Sequence, residues 1–498
     1  MTKIHFIGIG GIGMSGLSSM YLAQGYKVTG SDRGADRPEN KCILDPLKKQ
    51  GIRIYPQDGS FYAAEKSDIV VYSSAIESDN PDFAVLPDSV QKMHRSEALQ
   101  KIILESSFKN TIAVSGSCGK SSVTAYMAET LLNCGIDVDC LNGAIVKRFQ
   151  SDDNVGNFRK GNGDVFVFEA DESDKSLLCY TPDYAVVLNM GTDHYSSEEL
   201  AEVFGTFVNN AGKGAVVARS VYNEILPFLE FPQKVTVFED GDQQNGLYLS
   251  KYEVCDVNIS ANVEKPSILG DESILKAYGL FHDQSIMSRE LQVQFNGIYD
   301  LTMPVWGRHN ALNALAIFGM LRLLDFKVDE ILSGLSDFHG VFRRFDFAGI
   351  SPEGAYIFDD YAHNPEKLIS CLRSARERTS NNIYVVFQPH GYGPLGFMRD
   401  ELGKQLHKNL KSNEFFLMTE PFYAGGTTSF KPTAREVISD WHGKYQKPEH
   451  FIYAPDRRFI TDFLHKHLQV GDVVLICGAR DNSLAQYASE LAQASKSL

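Results

Sequence analysis

The stretch Ile112-Ala113-Val114-Ser115-Gly116-Ser117-Cys118-Gly119-Lys120-Ser121-Ser122-Val123-Thr124 decides how this chain is read. Ile112–Val114 is a short apolar run of β character. Ser115–Gly119 is small and glycine-bearing, and Val123–Leu132 has the composition of a helix. Strand, glycine turn, Lys-Ser and helix start together make a phosphate site. Backbone N–H groups and the positive helix end face the anion, and a lysine reaches its outer oxygens. The hydroxyl of Ser121, directly after the lysine, can ligate Mg²⁺. The spacing Gly116-x-x-Gly119-Lys120-Ser121 is two residues shorter between glycines than the common form. Alone, it also fits a plain strand-to-helix turn.

Working outward, the apolar run Asp164–Phe168 ends in Glu169-Ala170-Asp171-Glu172-Ser173-Asp174, and Tyr184–Leu188 closes on Asn189 and then Asp193-His194. An acid at a strand end is where a phosphate-loop fold puts a metal or water ligand. Glu169 and His194 are the candidates; a solvated acidic turn and a structural histidine are the alternatives. Toward the N-terminus, strand Lys3–Ile9 runs through Gly8, Gly10, Gly11 and Gly13 into a helix, Met14–Gln24, and a second strand, Lys27–Thr29, leads to Asp32. That is the dinucleotide fingerprint, glycines for the pyrophosphate and an acid for a ribose or base. Strand Ile69–Tyr72 ends in Ser73-Ser74, and a helix spans Ser96–Leu104.

Toward the C-terminus, residues from about Glu239 to Asp300 are polar, turn-rich and of mixed strand character, with no chemistry legible in them. Gly307 then opens a helix to Leu324 that carries Asn310 and Asn313 on one face. Arg343-Arg344 suit phosphate oxygens. Strands Tyr356–Phe358, Ile383–Phe387, Phe415–Met418 and Asp472–Cys477 end, respectively, at Asp359-Asp360, at Gln388-Pro389-His390, in a helix, and at Gly478-Ala479-Arg480-Asp481. Polar clusters at the carboxyl ends of successive strands are where open α/β sheets bind ligands. The expected fold is α/β in three domains: a Rossmann-like domain over 1–106, a central phosphate-loop domain over 107–337 and a Rossmann-like domain over 338–498.

A chain of 498 residues with net charge −15 does not suit non-specific nucleic-acid binding or a basic membrane face. No apolar run is long enough for a membrane span, and the glycine-rich N-terminus lacks a signal-peptide pattern. The eight cysteines are scattered without C-x-x-C pairs, as expected of reduced thiols in a cytoplasmic protein.

With these residues in place the chain resembles the Mur ligase family, ATP-dependent ligases of peptidoglycan precursor synthesis, over nearly its full length. The family's GTxGKTT loop appears as Gly116 to Ser122. Its acidic strand end begins at Glu169, and its DH pair is Asp193-His194. His309-Asn310 with Asn313, Arg343-Arg344-Phe345, and Asp359 to Pro365 match its remaining motifs in order. The resemblance implies ATP and Mg²⁺ as cofactors, and UDP-N-acetylmuramate with an amino acid or short peptide as substrates, in a monomer or weak homodimer. L-Alanine is the amino acid expected; the murein tripeptide or another amino acid is the alternative. It also implies roles. Gly116, Ser117, Gly119, Lys120, Ser121, Ser122, Asn310, Arg344 and Asp360 hold ATP. Ser121, Glu169 and His194 hold metal, and Lys120, Glu169, His194 and Arg344 carry catalysis. Gly10, Gly11, Gly13, Asp32, Ser73 and Ser74 hold the UDP-substrate, and His363 and His390 face the amino acid.

Three departures stand out. Cys118 replaces a histidine, and serines replace the loop threonines. Where the family has HRYTRT this chain has His390-Gly391-Tyr392-Gly393-Pro394-Leu395, without the arginine pair that grips the amino acid's carboxylate. Arg480 interrupts a GAGD. Arg399, a few residues into the following helix, is the nearest candidate for a substitute cation in sequence, able to reach back toward His363; a solvated helix arginine is the alternative. A nicotinamide-dependent oxidoreductase would use Gly8 to Asp32 but would leave Gly116–Ser121, Arg343-Arg344 and Asp359-Asp360 idle.

Overall fold

Ile112–Val114, Phe166–Phe168 and Val473–Cys477 are buried along their whole length, the pattern of parallel strands covered by helices on both faces. The computed structural model describes residues 2–37, 40–191, 196–241, 246–259, 286–423, 429–446 and 448–493. It builds three sheets. The first has five strands, β1 (Lys3–Ile7), β2 (Lys27–Asp32), β3 (Arg53–Pro56), β4 (Ile69–Tyr72) and β5 (Gln91–His94), in the order β3-β2-β1-β4-β5. All its pairings are parallel. Helix α1 (Ile12–Ala23) follows β1, and α2 (Arg95–Glu105) follows β5.

The second sheet centres on β6 (Asn110–Ser115), β7 (Asp139–Leu141), β8 (Phe158–Arg159), β9 (Val165–Glu169), β10 (Tyr184–Val187), β11 (Gly214–Ala218) and β12 (Val235–Asp240). It continues through β13 (Leu247–Ile259), β14 (Ile286–Phe295) and β15 (Tyr299–Met303), in the order β15-β14-β13-β12-β11-β10-β6-β9-β7-β8. The stretch from 239 to 300, expected to be turn-rich with mixed strand character, thus contributes strands joined at a turn over 296–298. Helix α3 (Lys120–Asn133) leaves β6. It is buried from Val123 to Leu131, a core helix whose polar side chains Thr124, Glu129 and Thr130 are buried with its apolar ones. Its end is set by Gly135 at φ +86°. There the Gly135 N–H donates to the Leu132 carbonyl and the Ile136 N–H to that of Leu131, a Schellman closure of the last turn. Helix α4 (Arg308–Leu323) lies further along the chain.

The third sheet, β16 (Asp346–Ile350), β17 (Tyr356–Asp360), β18 (Ile383–Gln388), β19 (Glu414–Met418), β20 (Phe451–Tyr453) and β21 (Val473–Gly478), runs β16-β17-β21-β18-β19-β20. Only its edge pairing of β16 with β17 is antiparallel. Helices α5 (Pro365–Arg378) and α6 (Tyr392–Asn409) cover one face, with Leu368, Leu372, Leu395 and Leu402 in the core. Contacts group Met1–Glu253, Leu291–Val305 and His309–Phe342 into one compact unit, and the chain from Arg343 onward, with Trp306–Arg308 and the adjoining parts of β13 and β14, into a second. Among the described residues no helix is long and apolar enough to cross a membrane.

Candidate active site

In the first unit β6 delivers the chain into the glycine turn. Gly119 caps α3 at φ +86°, a left-handed conformation that a glycine adopts without a Cβ clash. Lys120 and Ser121 then occupy the first turn, where backbone N–H groups have no intrahelical acceptor. Asn189, just beyond β10, pins the turn from the side. Its Oδ1 accepts the Cys118 N–H at 2.8 Å and its Nδ2 donates to the Cys118 carbonyl at 2.9 Å. Ser117 Oγ accepts the Gly191 N–H at 2.8 Å. The turn is therefore held in shape before any anion arrives.

The Lys120 ammonium donates to the Gly116 carbonyl at 3.0 Å and to Glu172 Oε2 at 2.7 Å, with Asp171 Oδ1 3.6 Å away. Burial works against its charge, but Glu172 and Asp171 outweigh that and hold its pKa above the ordinary lysine value. Ser121 Oγ donates to Glu169 Oε2 at 2.8 Å, and the Gly143 N–H donates to the same oxygen at 3.0 Å. A Cβ at Gly143 would stand 2.5 Å from that carboxylate, so the absence of a side chain keeps it reachable. Asn142 supports the arrangement by donating to the Ser121 carbonyl at 2.9 Å.

Hydroxyl and carboxylate side by side at the phosphate end of a loop are the hard-oxygen donors that Mg²⁺ prefers. No group of three or more metal-binding side chains is present among the described residues; His194, expected to complete the set, lies outside them. Asn313 Nδ2 donates to Asn310 Oδ1 at 3.1 Å, and a Cβ on Gly119 would come within 3.6 Å of Asn313 Oδ1. The expected helix face therefore lies against the loop.

In the dinucleotide-like turn the acid also contacts the glycines. The Asp32 carboxylate accepts the Gly10 N–H at 2.9 Å and the Gly34 N–H at 2.7 Å. It thereby braces the glycine turn itself. Gly13 faces Arg95, whose guanidinium lies 3.9 Å from Asp174. Ser73 and Ser74 follow the end of β4, beside β1 in the sheet.

In the second unit the arginine pair divides. Arg343 is only 3% exposed. It donates to Asp359 at 3.0 Å and to the carbonyls of Gly478 at 2.7 Å and Asp481 at 3.0 Å. It is a tie between strand ends, with Nε, Nη1 and Nη2 each engaged by protein acceptors. Arg344 lies over the Tyr361 ring at 5.5 Å. Burial raises the Asp360 pKa, although Arg344 opposes the shift, and its oxygens accept the Phe345 and Ala362 N–H groups. The rings of His363 and His390 are 5.1 Å apart. Burial first, then the charge of Lys367, lowers the His363 pKa to about 4. Arg399 lies elsewhere in its surroundings: its guanidinium is 3.9 Å from Asp440, in an open pocket lined by Gly396, Lys431, Pro432 and Glu436. Helical phase explains this, since Leu395, Met398 and Leu402 take the buried face and turn Arg399 outward.

Sequence reasoning passed over Asn142, Gly143, Asn189 and Glu172 as working parts. Each reaches the loop from another strand, so no local spacing marks it; position directly after an apolar strand was the available signal for Asn142 and Asn189.

Comparisons with known proteins bear on the same segments. Family models match at residues 3–106 (Mur ligase family, catalytic domain), 114–321 (Mur ligase middle domain) and 343–480 (Mur ligase, glutamate ligase domain). A UDP-N-acetylmuramate–L-alanine ligase of Chelativorans sp. is 30% identical over 97% of each chain. Among solved structures, the UDP-N-acetylmuramate–alanine ligase of Thermotoga maritima superposes with TM-score 0.74 at 24% identity, covering 99% of this chain and 98% of that one. A murein peptide ligase of Psychrobacter arcticus gives TM-score 0.63 at 20% identity, over 99% of this chain and 100% of its own.

Proposed function

The chain belongs to the Mur ligase family, and from that premise we propose that it joins an amino acid, L-alanine first among candidates, to the carboxylate of UDP-N-acetylmuramate at the expense of ATP. The observation that carries the reading is the preformed loop with Lys120 and the Ser121–Glu169 pair at its phosphate end. The substrate carboxylate attacks the γ-phosphorus and ADP leaves, giving an acyl phosphate. The amine then attacks the acyl carbon, and phosphate departs through a tetrahedral intermediate. No enzyme nucleophile is required; the protein aligns the groups and neutralises charge.

Lys120 exchanges Glu172 for phosphate oxygens. The N–H groups of the first turn of α3 receive the same anion. Ser121 and Glu169 would hold Mg²⁺, which neutralises charge on the phosphates. Residues 1–106 would take the UDP-substrate, 107–337 the ATP and 338–498 the amino acid, in the cytoplasm. The similarity to ligases named for L-alanine over nearly full length supports that amino acid. The likeness to a murein peptide ligase extends to fold alone.

The test is phosphate release from ATP with UDP-N-acetylmuramate, offered separately L-alanine, other amino acids and the murein tripeptide. Release that requires both the UDP-substrate and L-alanine is expected. Release with the tripeptide alone would move the protein to the recycling reaction, and none with any amine would overturn the proposal.

A further inference from the structure

The second unit contains a cluster of cations without an ion pair among the described residues; Asp360, the acid whose charge Arg344 feels, spends its oxygens on the Phe345 and Ala362 N–H groups. By register, the carboxyl ends of β17, β21 and β18 lie side by side, Asp360 beside Cys477 and Gln388 beside Gly478. The segments leaving these three ends meet at Tyr361. Its ring is 5.7 Å from that of His363, its hydroxyl accepts the Arg480 N–H at 3.4 Å, and Arg344 lies over its face. His390 closes the group against His363. Lys367 enters from the first turn of α5, close enough that its charge depresses both histidines; that of Arg480 depresses His390.

Elsewhere in this unit, charged side chains at strand ends are matched. Arg343 pairs with Asp359, Arg376 with Glu414 and Arg457 with Asp481. Arg344, Lys367 and Arg480 have no carboxylate within ion-pair distance among the described residues. The histidines add no negative charge, and His390 Nδ1 is buried without a hydrogen-bond partner. Arg480 is also held at φ +67°, a left-handed conformation that glycine adopts freely and arginine only at a cost. An exposed arginine kept at a strained position, beside unpaired cations, is placed for an anion.

We propose that Arg480, with Lys367, grips the carboxylate of the incoming amino acid against the His363–His390 pair, in place of the arginine pair missing after His390. This rests on the ligase reading above. It gives the specificity role to the residue that interrupts the Gly-Ala-x-Asp turn, not to Arg399.

The test uses the full chain, comparing wild type with R480G and R480K, and L-alanine with L-alaninamide, which keeps the amine and lacks the carboxylate. R480G should raise KM for L-alanine at least about tenfold, the loss expected of a charge-assisted contact. KM for ATP and for UDP-N-acetylmuramate should stay within about twofold, a span well inside one such contact. The preference for L-alanine over its amide should shrink toward unity, and R480K should recover part of it. Tm should hold or rise, because glycine suits the backbone there, so misfolding cannot mimic the result. An unchanged KM for L-alanine, or an equal rise in KM for ATP, would overturn the proposal; the latter would assign Arg480 to phosphate. If wild type ligates neither amine, the ligase reading fails, and the site is judged by the imidazole NMR signals of His363 and His390. L-Alanine should then shift them in wild type and not in R480G; no shift in wild type overturns the site as well.

Discussion

The loop at Gly116–Ser121 and the strand-end cluster around Tyr361 both present cations at the carboxyl ends of parallel strands, yet they prepare for ligands in opposite ways. Lys120 is 14% exposed and already bonded to Glu172 and to the Gly116 carbonyl. Asn189 fixes the backbone beside it. An anion entering there replaces a carboxylate partner, so the lysine need never be buried unpaired, a state that costs several kcal/mol. Around Tyr361, by contrast, Arg344, Lys367 and Arg480 lack ion-pair partners among the described residues, so the positive field is left standing. The difference teaches that an ordered cation and an available one are distinct features. The first keeps the loop's shape, and the second is where a small anion gains the most.

Removing the loop's cation should have the largest effect. Lys120→Ala should cut the ligation rate by about a thousandfold or more, the scale of losing a principal charge-stabilising group. It should also lower Tm by leaving Glu172 buried without its partner, and a Lys120→Ala, Glu172→Gln pair should regain that stability but not the activity. Phosphate release and thermal melts check both halves; a rate above a tenth of wild type would remove the loop from the chemistry.

Glu169→Gln should raise the Mg²⁺ needed for half-maximal rate at least about tenfold, while UDP-substrate binding stays unchanged. Superimposable Mg²⁺ titrations for variant and parent would make Glu169 a support for Ser121 only. Glu172→Gln sharpens the contrast more gently. With Lys120 matched only by Asp171 at 3.6 Å, ADP affinity measured by calorimetry should increase a few-fold, and a decrease would mean that Glu172 itself helps to hold the nucleotide.

The cluster should show the smallest signal, in pH dependence. The His363 pKa is lowered to about 4, chiefly by burial, against about 6.5 in an unfolded chain. Between those values the unfolded state takes up a proton that the native state does not. The stability His363 contributes is therefore whole above about pH 6.5 and is lost as pH falls through 4. Burial raises the Asp359 pKa to about 6, which acts in the opposite sense in part of that window. The measurement is accordingly the difference between wild type and His363→Gln. Melting curves from pH 7 to 4 should fall less steeply for the variant, and parallel curves would contradict the assignment.

What was legible in the chain follows the range of the interactions. The phosphate loop could be read because strand, glycines, Lys120 and Ser121 are contiguous, and their function depends on backbone direction. Strand ends at Glu169, Asp360 and His390 could be read because apolar runs stop there. The pins on the loop could not, since Asn142, Asn189 and Glu172 reach it from other strands. The bracing role of Asp32 is hidden for a related reason: its distance from the glycines marks a ribose ligand, and the same distance lets it bond Gly10 and Gly34 directly. Arg343 and Arg344 are indistinguishable in sequence, and only the tertiary position of Asp359, Gly478 and Asp481 separates the tie from the free cation. Arg399 was chosen by nearness along the chain, whereas Arg480, far away in sequence, reaches His390 because β21 lies between β17 and β18.

The most direct test of the account follows oxygen. UDP-N-acetylmuramate labelled with ¹⁸O in its carboxylate is turned over with ATP, Mg²⁺ and L-alanine, and the phosphate and amide product are weighed by mass spectrometry. An acyl phosphate requires the attacking carboxylate oxygen to leave with the phosphorus, so each phosphate released should carry one ¹⁸O and each amide should retain one. Phosphate without label, with both labelled oxygens still on the muramyl carboxylate, would show ATP hydrolysis by water and contradict the ligase chemistry assigned to this chain.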